Sequence, residues 1–137
     1  MPKPLAVSSD ALVDAARREI KEYSAAEAIE LAKQPDVLLV DIRDPRELQR
    51  EGKIPGALHA PRGMLEFWVD PESKYFKPAF GEAKTFVFFC AGGLRSALTT
   101  KTLQDMGLKP VAHIVGGFAS WRDAGGAVEM PAAKPPA

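Results

Sequence analysis

The chain has 137 residues, of which 46% are hydrophobic and 26% are charged; this composition fits one globular domain and excludes a disordered or fibrous protein. Lys and Arg number 18, as do Asp and Glu, so the net charge is zero and no overall basic field indicates nucleic-acid binding. The single cysteine excludes an internal disulfide, and together with only two histidines it makes no convincing metal site.

The beginning of the chain shows neither a secretory signal nor a membrane span. Its apolar runs are short and are broken by Ser8, Ser9 and Asp10, and the longest apolar run elsewhere is too short to cross a bilayer. A free thiol is most easily kept reduced in the cytosol. We therefore expect a soluble cytoplasmic protein that does not bind membranes.

Strand and helix patterns alternate along the chain between two tails without periodicity. Ser24 and Glu27 have capping-box spacing, Asp44 and Pro45 form a second helix start, and short apolar runs without polar breaks are typical of strands buried on both faces. The patterns predict helices over 10–18, 24–33, 44–51, 62–68, 94–106 and 117–121 and strands over 20–23, 37–40, 57–60, 85–89 and 111–115, with an irregular connection over 69–84.

This alternation predicts a single α/β domain over residues 10–126 with a parallel sheet covered by helices on both faces. Residues 1–9 are expected to form a flexible arm. Residues 127–137 are expected to form a flexible tail, and residues 130–137, which are rich in Pro and Ala, have nothing to pack against.

The most informative segment runs from Phe88 to Ser96, with the sequence FFCAGGLRS. A buried strand ends at Cys90, at the edge of the sheet where open α/β folds bind ligands. The glycines at 92 and 93 allow main-chain N–H groups to converge on one point, and the following helix start favours a thiolate. Arg95 can clamp an anion there. These features predict a nucleophilic thiolate beside a small anion-binding loop.

On these residues the chain resembles single-domain rhodaneses, the thiosulfate sulfurtransferase family, over about residues 20–126. Three stretches carry the resemblance: residues 40–57 with VDIR and GKIPGA, the loop from Cys90 to Ser96, and residues 116–121 with GGFASW. One departure is Lys53, where the family usually has His before the Ile.

The resemblance implies a five-stranded parallel sheet flanked by helices and a two-step sulfur transfer through a persulfide on Cys90. The donor would be thiosulfate or a related persulfide, the acceptor cyanide or a thiol, and no metal or organic cofactor would be needed. The loop amides would hold the donor anion and stabilise the persulfide. The anion-binding residues would be Ala91, Gly92, Gly93, Leu94, Arg95 and Ser96.

Other polar and aromatic residues are weaker candidates for the site. Asp41 and Arg43 follow a buried strand, and Arg62 and Trp68 lie in a segment that can wall the pocket, so these four form a candidate pocket set. Structural roles compete for each of them: Asp41 can hydrogen-bond a neighbouring loop, and Arg43 can be a solvated surface charge or can pack against a helix. Because no spacing supports a catalytic base, we interpret both histidines, His59 and His113, as structural.

Two other functions remain open. Phosphatases and arsenate reductases share similar folds, but phosphatase loops are longer than the four residues that separate Cys90 from Arg95 here. A non-catalytic binding or regulatory module is the other alternative. Such modules commonly lose the cysteine that this chain retains, so the sulfurtransferase is the leading hypothesis.

Overall fold

The computed structural model describes residues 2–132. Residue 1 of the predicted arm and residues 133–137 of the predicted tail lie outside the described residues. No helix within the described range is long and apolar enough to cross a bilayer.

Helices and strands alternate along the chain as the sequence pattern predicts. The helices are α1 (Ser9–Glu19), α2 (Ala25–Leu31), α3 (Pro45–Glu51), α4 (Leu65–Val69), α5 (Leu94–Asp105) and α6 (Gly117–Asp123). The strands are β1 (Lys21–Tyr23), β2 (Val37–Asp41), β3 (Leu58–His59), β4 (Thr85–Phe89) and β5 (Val111–Ile114), and short 3-10 helices cover Arg62–Met64 and Pro78–Gly81.

The two predicted helix starts are confirmed in their atomic detail. The Ser24 hydroxyl accepts a hydrogen bond from the Glu27 N–H, and the Glu27 carboxylate accepts one from the Ser24 N–H. Asp44 and Glu47 form a second capping box, and Pro45 occupies the first turn of α3. These reciprocal bonds satisfy first-turn amides that have no partner within the helix.

The five strands form one parallel sheet in the order β1-β5-β4-β2-β3, which confirms the predicted fold class. The central strand β4 pairs along its whole length with β2, and its residues from Phe86 to Phe89 are buried. Burial on both faces explains why this strand is a continuous apolar run. The order also places the end of β4 between the ends of β2 and β5, where Cys90 follows.

A hydrophobic core lies on each face of the sheet. Phe86 and Phe88 project to one face, where they pack with Leu103 of α5 and Leu65 of α4. The alternate residues of β4 project to the other face and pack with residues of α2 and α6. The two cores hold the sheet between its helices and so fix the direction in which each strand end points.

The chain beyond α6 differs from the expected loose tail as far as the structure describes it. The Trp121 indole donates a hydrogen bond to the Ala127 carbonyl at 2.9 Å. Main-chain bonds of 2.8 and 2.9 Å then join Lys53 and Glu129 in an antiparallel bridge. Residues 127–129, which were expected to begin the flexible tail, are thus hydrogen-bonded to the domain, and these contacts depend on main-chain groups that composition does not reveal.

Candidate active site

Cys90 lies directly beyond β4, at the centre of the carboxyl edge of the sheet. The residue is only 1% exposed, and its sulfur accepts hydrogen bonds from the Gly93 N–H at 3.1 Å and from the Ser96 N–H at 3.4 Å. The loop therefore curls around the sulfur, and the first turn of α5 points at it. Main-chain hydrogens and a helix N-terminus both favour a negative charge on that atom.

Gly93 makes this curled loop conformation accessible. Its φ is +100°, and a Cβ atom on it would lie 3.1 Å from the Gly116 nitrogen. Gly92 was expected to share this role, but its φ is not positive and a Cβ on it would meet nothing within 4 Å. The conformational freedom of glycine is thus needed at one position of the pair.

The first residues of α6 hydrogen-bond to the main chain of the Cys90 loop. The Phe118 N–H donates to the Cys90 carbonyl at 2.8 Å, and the Ala119 N–H donates to the Ala91 carbonyl at 3.1 Å. A Cβ on Gly117 would lie 2.4 Å from the Cys90 carbonyl oxygen, so only glycine permits this approach. Residues 116 and 117 therefore belong to the scaffold that shapes the Cys90 loop.

Arg95 lies at the mouth of the loop, but Glu47 of α3 already binds it. Two bonds of 2.8 and 3.0 Å join the guanidinium to the carboxylate, and the Arg95 side chain is 45% exposed. The hydrogen bond to Glu47 raises the pKa of Arg95, burial opposes that shift, and attraction to Glu47 and Cys90 adds to it. An anionic donor must therefore compete with Glu47 for Arg95.

The remaining loop residues divide between the opening and the interior. Leu94 is 62% exposed and Gly92 is exposed, whereas Ala91 is half-buried. Ser96 is fully buried, and its hydroxyl lies 3.7 Å from the Cys90 sulfur, near enough to accept a hydrogen bond from the thiol. The loop thus has an exposed rim of small and apolar groups above a polar interior.

Asp41 and Arg43 form a buried ion pair. Arg43 is 0% exposed, so it is not a solvated surface charge, and its other expected structural role, packing against a helix, is the one observed. Its guanidinium donates to Asp41 at 2.8 Å and to the Gly52 carbonyl at 2.9 Å, and lies 4.2 Å from the centroid of the Phe118 ring. Desolvation of a charge is tolerated here because a carboxylate compensates it. The pair ties the end of β2 to the end of α3 and to α6.

Asp41 also borders a cavity of about 250 Å³ between α3 and the ends of β2 and β3. The other lining residues include Lys53, Ile54 and His59, and none belongs to the Cys90 loop. His59 itself is bound through Nε2 to the Arg43 carbonyl at 2.8 Å. This arrangement agrees with the structural interpretation of both Asp41 and His59.

Arg62 and Trp68 lie on the segment that follows β3. Arg62 pairs with Glu66 one turn later, at 2.7 Å. Trp68 packs against the core on the α5 face and lines a cavity of about 300 Å³. The Lys77 ammonium lies over the Trp68 indole, with Nζ 4.8 Å from the ring centroid. No residue of the Cys90 loop lines that cavity.

His113, which was interpreted from the sequence as structural, is a polar residue near the cysteine. It lies in β5 and is 1% exposed, and its Nδ1 is 2.8 Å from the Ser96 hydroxyl oxygen. Its Nε2 is 2.8 Å from the carboxylate of Glu22 in β1. The available signal was a polar residue within an otherwise apolar strand, but nothing in the sequence indicates what it contacts.

Comparison with known proteins identifies the family. A family model described as "Rhodanese-like domain" matches residues 24–124. A solved structure from Rhodopseudomonas palustris, described as a protein of unknown function and possible tyrosine phosphatase, has 60% sequence identity and a TM-score of 0.91; the match covers 94% of this chain and 99% of that one.

Curated relatives share less sequence but have more informative names. "Thiosulfate sulfurtransferase GlpE" of Coxiella burnetii is 29% identical over 102 residues, which cover 74% of this chain and 87% of the relative. "Putative sulfurtransferase YtwF" of Bacillus subtilis is 34% identical over 104 residues, which cover 75% of this chain and 91% of the relative.

The two loop glycines give a first testable prediction. We expect Gly93→Ala to lower the free energy of unfolding by more than about 1 kcal/mol, because alanine is strained at positive φ and its Cβ would crowd Gly116. Gly92→Ala should leave the free energy of unfolding nearly unchanged, since space is open there. Urea unfolding of both variants measures the difference, and equal losses would show that the loop conformation differs from the one described.

The buried ion pair gives a second prediction. Arg43→Met should lower the free energy of unfolding by about 3–5 kcal/mol, because it leaves the Asp41 carboxylate buried without a counter-charge. Arg46→Met is the matched control: Arg46 also pairs with an aspartate, Asp44, but its side chain is 83% exposed, so little change is expected. Urea unfolding measures both, and similar effects would contradict the structural importance of the buried pair.

Proposed function

The chain belongs to the rhodanese-like domain family, and on that premise we propose that it is a sulfurtransferase that carries sulfane sulfur as a persulfide on Cys90. The observation that supports this proposal is that the Cys90 sulfur accepts hydrogen bonds from the main-chain N–H groups of Gly93 and Ser96, at 3.1 and 3.4 Å. These bonds stabilise a thiolate before the reaction, and we expect the other amides of the loop to stabilise the outer persulfide sulfur after it. A single thiol is sufficient for this chemistry, and the chain contains one.

In the first step the Cys90 thiolate attacks the outer sulfur of thiosulfate. A new S–S bond forms to Cys90 while the S–S bond of thiosulfate breaks, and sulfite leaves with the electron pair of that bond. Charge balances, because a thiolate and a dianion give a persulfide anion and a sulfite dianion. No oxidant is needed, because the transferred sulfur brings its oxidation state with it.

In the second step an acceptor nucleophile attacks the outer persulfide sulfur. Cyanide would become thiocyanate, and a thiolate would become a persulfide. In both cases the electrons of the broken S–S bond return to Cys90, which regains its thiol or thiolate state. No second cysteine is needed to resolve the intermediate.

The preference for thiosulfate rests on the charge of the loop and on the named relatives. The N-terminus of α5 and the Arg95 guanidinium present positive charge at the mouth of a loop in a chain whose net charge is zero. The relative from Coxiella burnetii carries thiosulfate in its name. A reducing compartment such as the cytosol suits the proposal, since Cys90 must remain a free thiol.

Phosphatase activity is the second candidate, because the solved relative with 60% identity is described as a possible tyrosine phosphatase. The Cys90 loop argues against it. Only four residues separate Cys90 from Arg95, and Arg95 is engaged by Glu47. Retention of the cysteine in turn argues against a non-catalytic binding module.

The third prediction tests the proposed chemistry directly. Incubation of the protein with thiosulfate should add one sulfur atom to Cys90, detected by intact-protein and peptide mass spectrometry. Later addition of cyanide should remove that sulfur and release thiocyanate. The Cys90→Ser variant is the control and should gain no sulfur.

The alternatives predict different results in the same experiments. Hydrolysis of a chromogenic phosphate ester that depends on Cys90, without any persulfide, would replace the proposal with a phosphatase. A folded protein that shows neither reaction, with thiosulfate or with a persulfide donor, would favour the binding module.

The fourth prediction concerns Arg95 and its partner. Arg95→Ala should raise the KM for thiosulfate about tenfold, since a charge-assisted hydrogen bond to the donor is lost. Glu47→Gln should lower that KM instead, because it releases Arg95 from its competitor. Steady-state kinetics measures both variants, and thermal melting measures their folding. If Arg95→Ala impairs melting and kinetics to the same extent, or leaves KM unchanged, Arg95 does not bind the donor.

A further inference from the structure

A row of hydrogen bonds leads from the Cys90 sulfur to the edge of the sheet. The thiol lies 3.7 Å from the Ser96 hydroxyl oxygen, which lies 2.8 Å from Nδ1 of His113. Nε2 of His113 lies 2.8 Å from the Glu22 carboxylate, which Arg17 of α1 contacts at 2.8 Å. The reaction steps proposed above make no use of His113 or Glu22.

The strand order explains how this row is assembled. β5 lies between β4 and β1, so His113 has the end of β4 on one side and Glu22 on the other. His113 pairs in register with Phe88 and Glu22 and therefore projects to the face that α5 covers, where Ser96 is buried. The histidine thus links the cysteine loop to a carboxylate whose side chain is 26% exposed.

The geometry of His113 is that of an oriented base. One ring nitrogen faces a hydroxyl and the other faces a carboxylate, an arrangement that holds the imidazole in one tautomer and stabilises its protonated form. A histidine that only fills the core needs no link to a reactive atom. Here the hydroxyl that contacts Nδ1 also contacts the Cys90 sulfur.

We propose that His113 is a positioning residue that accepts the thiol proton of Cys90 through the Ser96 hydroxyl, while Glu22 stabilises the resulting imidazolium. The proposal rests on the proposed function only in taking the thiolate as the working form of Cys90. It adds a proton acceptor to a site in which the sequence indicated only the loop amides and Arg95.

The proton transfer balances within these four groups. The S–H bond of Cys90 breaks as its proton passes to the Ser96 oxygen, and the original Ser96 hydroxyl proton passes to Nδ1 of His113. The products are a thiolate and an imidazolium whose Nε2–H donates to the Glu22 carboxylate. Ser96 is regenerated as a hydroxyl that now donates to the thiolate.

The charges around the two ends of the row are compatible with this transfer. Arg95 of α5, itself paired with Glu47 of α3, faces the cysteine end. Glu22 of β1 and Arg17 of α1 face the histidine end. The buried pair of Asp41 and Arg43 at the end of β2 compensates its own charge.

The protonation states at rest also fit an acceptor role. Burial lowers the pKa of His113, and the hydrogen bond and charge of Glu22 oppose that shift. Burial alone would raise the pKa of Glu22, but hydrogen bonds from Arg17 and His113 hold it below its ordinary value. The imidazole is therefore neutral before the transfer, and the Glu22 carboxylate beside it is ionised.

The test is a pH titration of the thiolate by its ultraviolet absorbance, which needs no reagent to reach the buried sulfur. Because the chain has one cysteine, the signal after subtraction of the Cys90→Ser variant reports Cys90 alone. His113→Gln keeps an acceptor for Ser96 and a donor for Glu22 but cannot take up a proton. Its titration midpoint should rise by about one pH unit, a tenfold lower ratio of thiolate to thiol at a given pH.

Two further variants keep the result interpretable. Glu22→Gln should move the midpoint in the same direction but less, because the imidazolium loses its counter-charge. His59→Gln is the matched control and should leave the midpoint unchanged, since His59 bonds the Arg43 carbonyl. Thermal melting of each variant separates a change in titration from a loss of folding.

The outcomes distinguish this inference from the proposed function. Superimposable titrations of the wild type and of a folded His113→Gln would overturn the relay, whether or not thiosulfate forms a persulfide. If His113→Gln does not fold, an unchanged midpoint in Glu22→Gln would overturn it. If the midpoint shifts in His113→Gln but the wild type forms no persulfide, the proton relay is supported and the proposed sulfurtransferase activity is refuted.

Discussion

The hydrogen bond from the Gly93 N–H to the Cys90 sulfur, 3.1 Å long, is the interaction on which the rest of the site depends. For that N–H to point toward the sulfur, residue 93 must adopt positive φ and pack closely against Gly116. The start of α6 must also approach the Cys90 carbonyl, and only glycine at position 117 allows this. Gly93, Gly116, Gly117 and the apolar strand β4 therefore serve one purpose. They place a sulfur atom among main-chain hydrogens, which favour a negative charge there.

The sequence predicted the parts of this arrangement that are local. Strand β4 was predicted with its observed bounds because an uninterrupted apolar run is characteristic of a central strand. The Ser24–Glu27 capping box and the Asp44 cap followed by Pro45 marked the starts of α2 and α3 for the same reason, since these signals depend on residues within a few positions of each other. The burial of Arg43 escaped prediction, because a charged residue after a strand is usually solvated and its compensation by Asp41 depends on side-chain conformation.

The contacts of His113 and Arg95 could not be predicted from the sequence for a different reason. His113 is 17 residues from Ser96 and 91 from Glu22, and Arg95 is 48 from Glu47. Alternation of strands and helices predicts a parallel sheet but not which strands are neighbours. Only the order β1-β5-β4-β2-β3 shows that β5 separates β4 from β1, and so that a polar residue in β5 can join a cysteine loop to a distant carboxylate.

Burial of the sulfur has consequences for the kind of chemistry that the loop can support. A residue that is 1% exposed cannot gain a charge through solvation, so its thiolate must be stabilised by fixed groups. The loop amides stabilise the negative charge but do not accept the proton. The Ser96 hydroxyl lies 3.7 Å from the sulfur, and it leads to His113. A buried thiol at this edge therefore depends on an internal proton acceptor more than an exposed thiol would. Arg95 cannot accept that proton, and His113 is the residue that we propose for this role.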